Sequence, residues 1–174
     1  MSVRIGDRLV ITRRGSMMGR LRPDDLIETG IYEDDSGIAL ASSEIITHRA
    51  VYAHTSAQAI VHTHPPHAVV LSLVEDAVIP IDSEGSYLLH KVPVVVAEKT
   101  IGSEEMAQVL SKALQTHKAC LLRGHGLFCT GNMLEEAFQW SSAVESSARI
   151  VYLTHRAGIV PREYRLKSEG YGEW

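Results

Sequence analysis

The sequence predicts an α/β domain with strands and helices mixed throughout, and three observations predict it. Short apolar runs recur, AIVHT at 59–63, VPVVVA at 92–97 and ACLL at 119–122, each too short for a helix. They alternate with stretches of helical spacing, the longest over 132–155. The 174 residues, 45% of them hydrophobic, suffice for one sizeable core. No repeat, low-complexity stretch or Pro/Gly/Ser linker divides them, so a single domain over 1–174 is expected.

Taken in order, residues 7–12 (DRLVIT) read as a short strand, followed by a loop containing Gly15. Residues 25–32 read as extended, ended by the turn-forming Asp34-Asp35-Ser36-Gly37 cluster. A helix is expected to start at Ser42 or Ser43, whose hydroxyls suit an N-cap, with Ile46, Ala50 and Ala53 at helical spacing. The strand at 59–63 is interrupted by Pro65-Pro66, which start a helix through Leu73. Strands are expected at 78–81 and 92–97. Ser103 with Glu104 and Glu105 marks a helix start, because acidic groups favour the positive end of the dipole. Ala107, Leu110 and Leu114 give that helix its buried face. Strands follow at 119–122 and 126–130. In the long helix, Asn132 and Glu135 resemble a capping box, and Leu134, Phe138, Val144, Ala148 and Val151 form an apolar stripe. The tail after Pro161 is polar and rich in tyrosine.

The net charge of −4, spread along the chain, argues against a nucleic-acid partner, which selects a basic face. No apolar run approaches the roughly 20 residues that span a bilayer, so no membrane partner is expected. The start, MSVRIGDRLVIT, lacks the layout of a signal peptide, and two cysteines with apolar neighbours, Cys120 and Cys129, indicate no disulfide framework. A cytoplasmic protein with two buried thiols is expected.

Nine histidines are more than ordinary composition supplies. His62 and His64 lie two apart at the end of a predicted strand, so both imidazoles point to one face and can converge on one ion. Imidazole suits zinc, and a catalytic zinc takes three protein ligands with one position open. His67 is close in sequence, but Pro65 and Pro66 turn the chain away. His125 is the better third candidate, since its flanking glycines let the backbone enter a crowded site. Glu44 reads in two ways: a ligand and general acid/base beside the metal, or an ordinary helix-start acid paired with His48 four residues later.

Four segments, ITRRGSMMGRLRPDDLI from Ile11, ASSE at 41–44, IVHTHPPHA at 60–68 and LLRGHGLFCTGNMLEEAF at 121–138, resemble the class II aldolase and adducin family in order and spacing. The resemblance covers about residues 2–155. It implies a three-layer αβα fold around a mainly antiparallel central sheet, assembled as a C4 homotetramer with sites at subunit interfaces. It implies zinc on His62, His64 and His125, an acid/base role for Glu44, and binding of a substrate phosphate at Gly15, Ser42 and Ser43. The epimerase branch of the family has aspartate where Glu44 stands, which favours aldol chemistry. The implied activity is zinc-dependent cleavage of a small phosphorylated ketose, such as L-fuculose 1-phosphate, to dihydroxyacetone phosphate and an aldehyde. Two other readings stand beside it: a sugar-phosphate dehydratase resembling methylthioribulose-1-phosphate dehydratase, and a non-catalytic adducin-like module.

The sequence departs from the family pattern in three places. Met1-Ser2-Val3-Arg4 begins inside a segment that usually reads Gly-Asn-x-Ser after a helix, so the domain is expected to be short at its N-terminus. The usual Thr-Pro-Ser-Gly loop is Thr12-Arg13-Arg14-Gly15, which loses a hydroxyl and gains positive charge suited to phosphate. The aldolase tyrosine expected soon after Ile79-Pro80 is replaced by Asp82-Ser83-Glu84, with Tyr87 a few residues late and Tyr164 or Tyr171 as tail candidates.

Overall fold

The computed structural model of the chain describes residues 1–161. In chain order the elements are β1 (Ser2–Ile5), β2 (Arg8–Thr12), β3 (Leu26–Gly30), α1 (Ile45–His54), β4 (Ala59–Thr63), α2 (Pro66–Ser72) and β5 (Ala77–Val78). They continue with α3 (Ser83–Leu88), β6 (Val92–Val95), α4 (Glu104–Ala113), β7 (Ala119–Leu122), β8 (Gly126–Gly131) and α5 (Leu134–Arg156). The strands form one sheet in the order β3-β2-β1-β4-β8-β7-β6-β5. All neighbours are antiparallel except β6 and β7, so the sheet is mixed though mostly antiparallel.

Alternation along the central strands splits the core in two, because successive side chains leave opposite faces of a sheet. Ile60, Cys120, Leu122 and Phe128 join Val51 and Tyr52 of α1 and Met106 and Leu110 of α4. Val61, Leu121, Leu127 and Cys129 join Leu71 of α2 and Trp140, Val144 and Ala148 of α5. The sheet is thus a layer between two sets of helices. Both cysteines are free and buried, and they belong to opposite cores.

Several expectations are corrected. β1 is not legible in the sequence, since four residues give little alternation to read. Its Ser2 is buried, with its hydroxyl 2.7 Å from both His48 Nδ1 and the Tyr52 hydroxyl. Neither Ser42 nor Ser43 caps α1; Glu44 occupies the N-cap position, with no hydrogen bond from its side chain to the helix. The buried face of α1 is Ile45, Thr47, His48, Val51 and Tyr52, so Ile46 and Ala53 point outward. Asn132 and Glu135 form no capping box. Instead the Glu136 carboxylate accepts from the Asn132 backbone N–H at 2.6 Å and side-chain amide at 3.0 Å, and Met133 is the N-cap residue. Phe138 is 60% exposed and leaves the apolar stripe, whereas Ala137 and Trp140 join it. Helix α3 has no counterpart among the expected elements, and Tyr87 lies in it. Ser103 does cap α4, accepting from Met106 N–H at 3.1 Å. Tyr164 and Tyr171 lie outside the described residues. No helix among the described residues is long and apolar enough to cross a membrane.

Candidate metal centre

The three histidines meet because of strand register. β4 pairs antiparallel with β8, with His62 opposite Phe128 and Thr63 opposite Leu127, so the next step sets His64 against Gly126. β7 and β8 pair as far as Leu122 and Gly126, leaving Arg123, Gly124 and His125 as the turn. That turn is closed by His125 N–H donating to the Leu122 carbonyl at 3.0 Å, and Gly124 takes φ +67°, which glycine adopts without steric cost. His125 is therefore presented at the hairpin tip, beside the end of β4.

One nitrogen from each imidazole lies within 4.8 Å of the others. His62 and His64 are closest, with Nε2 atoms 3.0 Å apart. Nitrogens bound tetrahedrally at zinc distances stand about 3.3 Å apart, so the cluster has the right dimensions. His62 Nδ1 donates to the Leu127 carbonyl at 2.9 Å, which leaves the Nε2 lone pair free for a metal. Its ring stacks on Phe128, centroids 4.0 Å apart, fixing the ring plane. His125 Nδ1 is buried without a hydrogen bond of regular geometry among the described residues, and the Thr100 backbone is the polar group that acts on this ring. Burial pushes His62 down to about 3 and lowers His64 and His125 as well. All three are then neutral near pH 7, the state that ligates. The cluster fits a divalent ion.

Glu44 lies near enough to His64 for their charges to interact. It is 6% exposed, and its Oε2 is buried without a partner among the described residues. Burial raises its pKa, offset in part by the Gly102 backbone N–H and by His64. Glu44 is not paired with His48, whose imidazole bonds Ser2 instead. The approach of Gly102, at φ +58° beside the Ser43 carbonyl, joins the loop before α4 to the start of α1. Nothing in the sequence links positions 44 and 102.

Gly15 and the serine pair belong to neighbouring segments. Arg13 bridges Ala41, and Arg14 N–H donates to the Leu40 carbonyl at 3.0 Å. Gly15 is exposed at φ +76°, and Ser42 Oγ accepts from Glu44 N–H at 3.3 Å. Arg13 is paired with Asp25 at 2.7 Å, so part of the loop's extra positive charge is already neutralised. His67 does not join the cluster; its Nδ1 lies 2.7 Å from Glu145 of α5.

Residues 1–152 match the family described as the Class II Aldolase and Adducin N-terminal domain. The chain belongs to this class II aldolase and adducin family. A relative from Rhodospirillum rubrum, 5-methylthioribulose-1-phosphate/5-deoxyribulose-1-phosphate aldolase, is 31% identical over 85% of this chain and 67% of its own length. The 3-oxo-tetronate 4-phosphate decarboxylase of Haemophilus influenzae is 30% identical over 87% of this chain and 75% of its own. Among solved structures, the L-fuculose-1-phosphate aldolase of Thermus thermophilus superposes with TM-score 0.85 at 38% identity, covering 92% of this chain and 85% of that one. The relatives of this class II aldolase family member differ in their named reactions, two being aldolases and one a decarboxylase.

Proposed function

We propose that this chain is a zinc-dependent aldolase that cleaves a small phosphorylated ketose, such as L-fuculose 1-phosphate, to dihydroxyacetone phosphate and an aldehyde. The observation that carries this reading is the buried Glu44, its pKa raised by desolvation, close enough to His64 of the neutral three-histidine cluster for their charges to interact. His62, His64 and His125 would hold the ion, which supplies Lewis-acid stabilisation of the negative charge that cleavage leaves on substrate oxygens.

In retro-aldol cleavage ionised Glu44 would take the proton of the C4 hydroxyl as the C3–C4 bond breaks. The aldehyde departs, and the electron pair stays on the three-carbon fragment as an enediolate. That fragment then needs a proton on carbon. Glu44 is suited to deliver it, because burial raises the pKa of its carboxyl and so favours uptake and return of a proton. Gly15, Ser42 and Ser43 would hold the phosphate through backbone amides and hydroxyls, the serines being next to Glu44 in sequence. We further read the chain as a single domain forming a homotetramer with sites at subunit interfaces. Its two free thiols suit the reducing cytoplasm.

The test is to incubate zinc-loaded protein with L-fuculose 1-phosphate and assay dihydroxyacetone phosphate, with and without chelator. Chelator-sensitive release supports the reading. A zinc-holding protein that releases none rejects this substrate, and assays for lost water or carbon dioxide then separate dehydration from the decarboxylation named for the Haemophilus influenzae relative.

A further inference from the structure

Two contacts from α5 reach the segment that carries the strand-borne histidines. Ser141 Oγ lies 2.7 Å from Thr63 Oγ1, the hydroxyl between His62 and His64. One turn further, the Glu145 carboxylate accepts from the His67 N–H at 3.2 and 3.3 Å and from the Ala68 N–H at 3.2 Å. It also meets His67 Nδ1 at 2.7 Å, and the His67 ring packs on Tyr152 of the same helix, centroids 5.5 Å apart.

The prolines explain why Glu145 is needed. Pro65 and Pro66 have no N–H, so the first donors of α2 are those of His67 and Ala68. α2 has only seven residues and no capping side chain of its own at its start. Glu145 takes both donors from across the helix packing. The ladder with β8 holds β4 only as far as Thr63, and α2 begins at Pro66. His64 sits between these anchors on an exposed corner.

We propose that Glu145, supported by Ser141, is a positioning residue for the metal centre. It fixes the corner after β4, so that His64 Nε2 stays beside His62 Nε2. The inference rests on the reading that the three histidines bind a metal. It assigns to α5 a part of the metal affinity, although no α5 side chain belongs to the ligand set.

α5 supplies its own control. Glu136, near the other end of the helix, takes the Asn132 backbone N–H with the same chemistry. The experiment compares Glu145→Gln with Glu136→Gln and wild type. It measures zinc affinity by competition with a chromophoric chelator, the visible spectrum of the cobalt-loaded protein, and urea stability without metal. Glu145→Gln is expected to weaken zinc binding about 10-fold or more and to alter the cobalt spectrum. Glu136→Gln is expected to lower metal-free stability while leaving both metal readouts unchanged. Should Glu145→Gln not fold, Ser141→Ala, which removes one hydroxyl, is expected to weaken zinc in the same direction by less. Wild-type affinity and spectrum in Glu145→Gln, or equal losses in Glu136→Gln, overturn this inference alone. A wild type that binds neither zinc nor cobalt overturns the metal-centre reading as well.

Discussion

Gly126 stands so close to His64 that a Cβ on it would lie 2.5 Å from His64 Cδ2, 2.7 Å from the Thr63 carbonyl oxygen and 2.9 Å from His62 Cε1. The glycine is required by the space beside the ligands and not by its own backbone angles. Gly126→Ala must therefore push the β4 end away or tilt both imidazoles. Overpacking of this kind costs about 1–3 kcal/mol, and here it falls on the ligand geometry. The variant is expected to fold with a lower urea midpoint and to hold clearly less zinc after dialysis. Stoichiometric zinc at wild-type affinity would contradict the close approach.

Metal removal is the next expectation. An ion that binds only the folded chain stabilises it by about 2.7 kcal/mol at a hundredfold excess over Kd. For a domain of this size that is a Tm increase of roughly 5–10 °C. Calorimetry with zinc and then with excess chelator measures it. In His125→Ala, which leaves two ligands, the difference between the two scans is expected to shrink to near zero.

Glu44→Gln keeps the shape of the side chain and removes its proton-transfer capacity. With the three histidines intact, zinc content is expected to match wild type, while kcat/KM falls about 100-fold or more. The buried amide that replaces the carboxyl carries no charge to desolvate, so stability is expected to hold or rise slightly. A variant with bound zinc and undiminished turnover removes Glu44 from the chemistry.

Much of this site is legible in the sequence. A two-residue spacing on a short β-branched strand is enough to aim His62 and His64 together, and the flanking glycines point to His125. Position in space is legible only where local signals and tertiary contacts agree. The Ser42-Ser43 pair has capping propensity, but Arg13 pairs with Ala41 and Ser42 turns back to Glu44, so the helix begins later. Apolar spacing assigns α1 the wrong face because two of its buried residues, Thr47 and His48, are polar. His48 is accommodated by Ser2, 46 residues away, which no local period can reveal. α3 is hidden by Gly85, a poor helix former that α3 needs because Ser147 of α5 presses against that position. Glu145 escapes a local reading for the same reason as His48, since its partners lie 77 and 78 residues away.

The buried imidazoles also set how the metal-free protein responds to acid. His48 is 1% exposed, and burial holds its pKa well below 6.5, while His62 is held at about 3. In the unfolded chain both take a proton near 6.5. Below that pH the unfolded state therefore binds more protons than the folded one, and stability falls as pH falls. The contribution is complete above about pH 6.5 and is lost progressively towards the folded values, near 3 for His62. Each group contributes on the order of 1 kcal/mol per pH unit in that window. Urea unfolding of chelator-treated protein from about pH 7 to about pH 5 is expected to give a steadily lower midpoint with an unchanged m-value. Histidines that instead charged freely in the folded chain would leave the midpoint level across this range, because both states would then take up protons together.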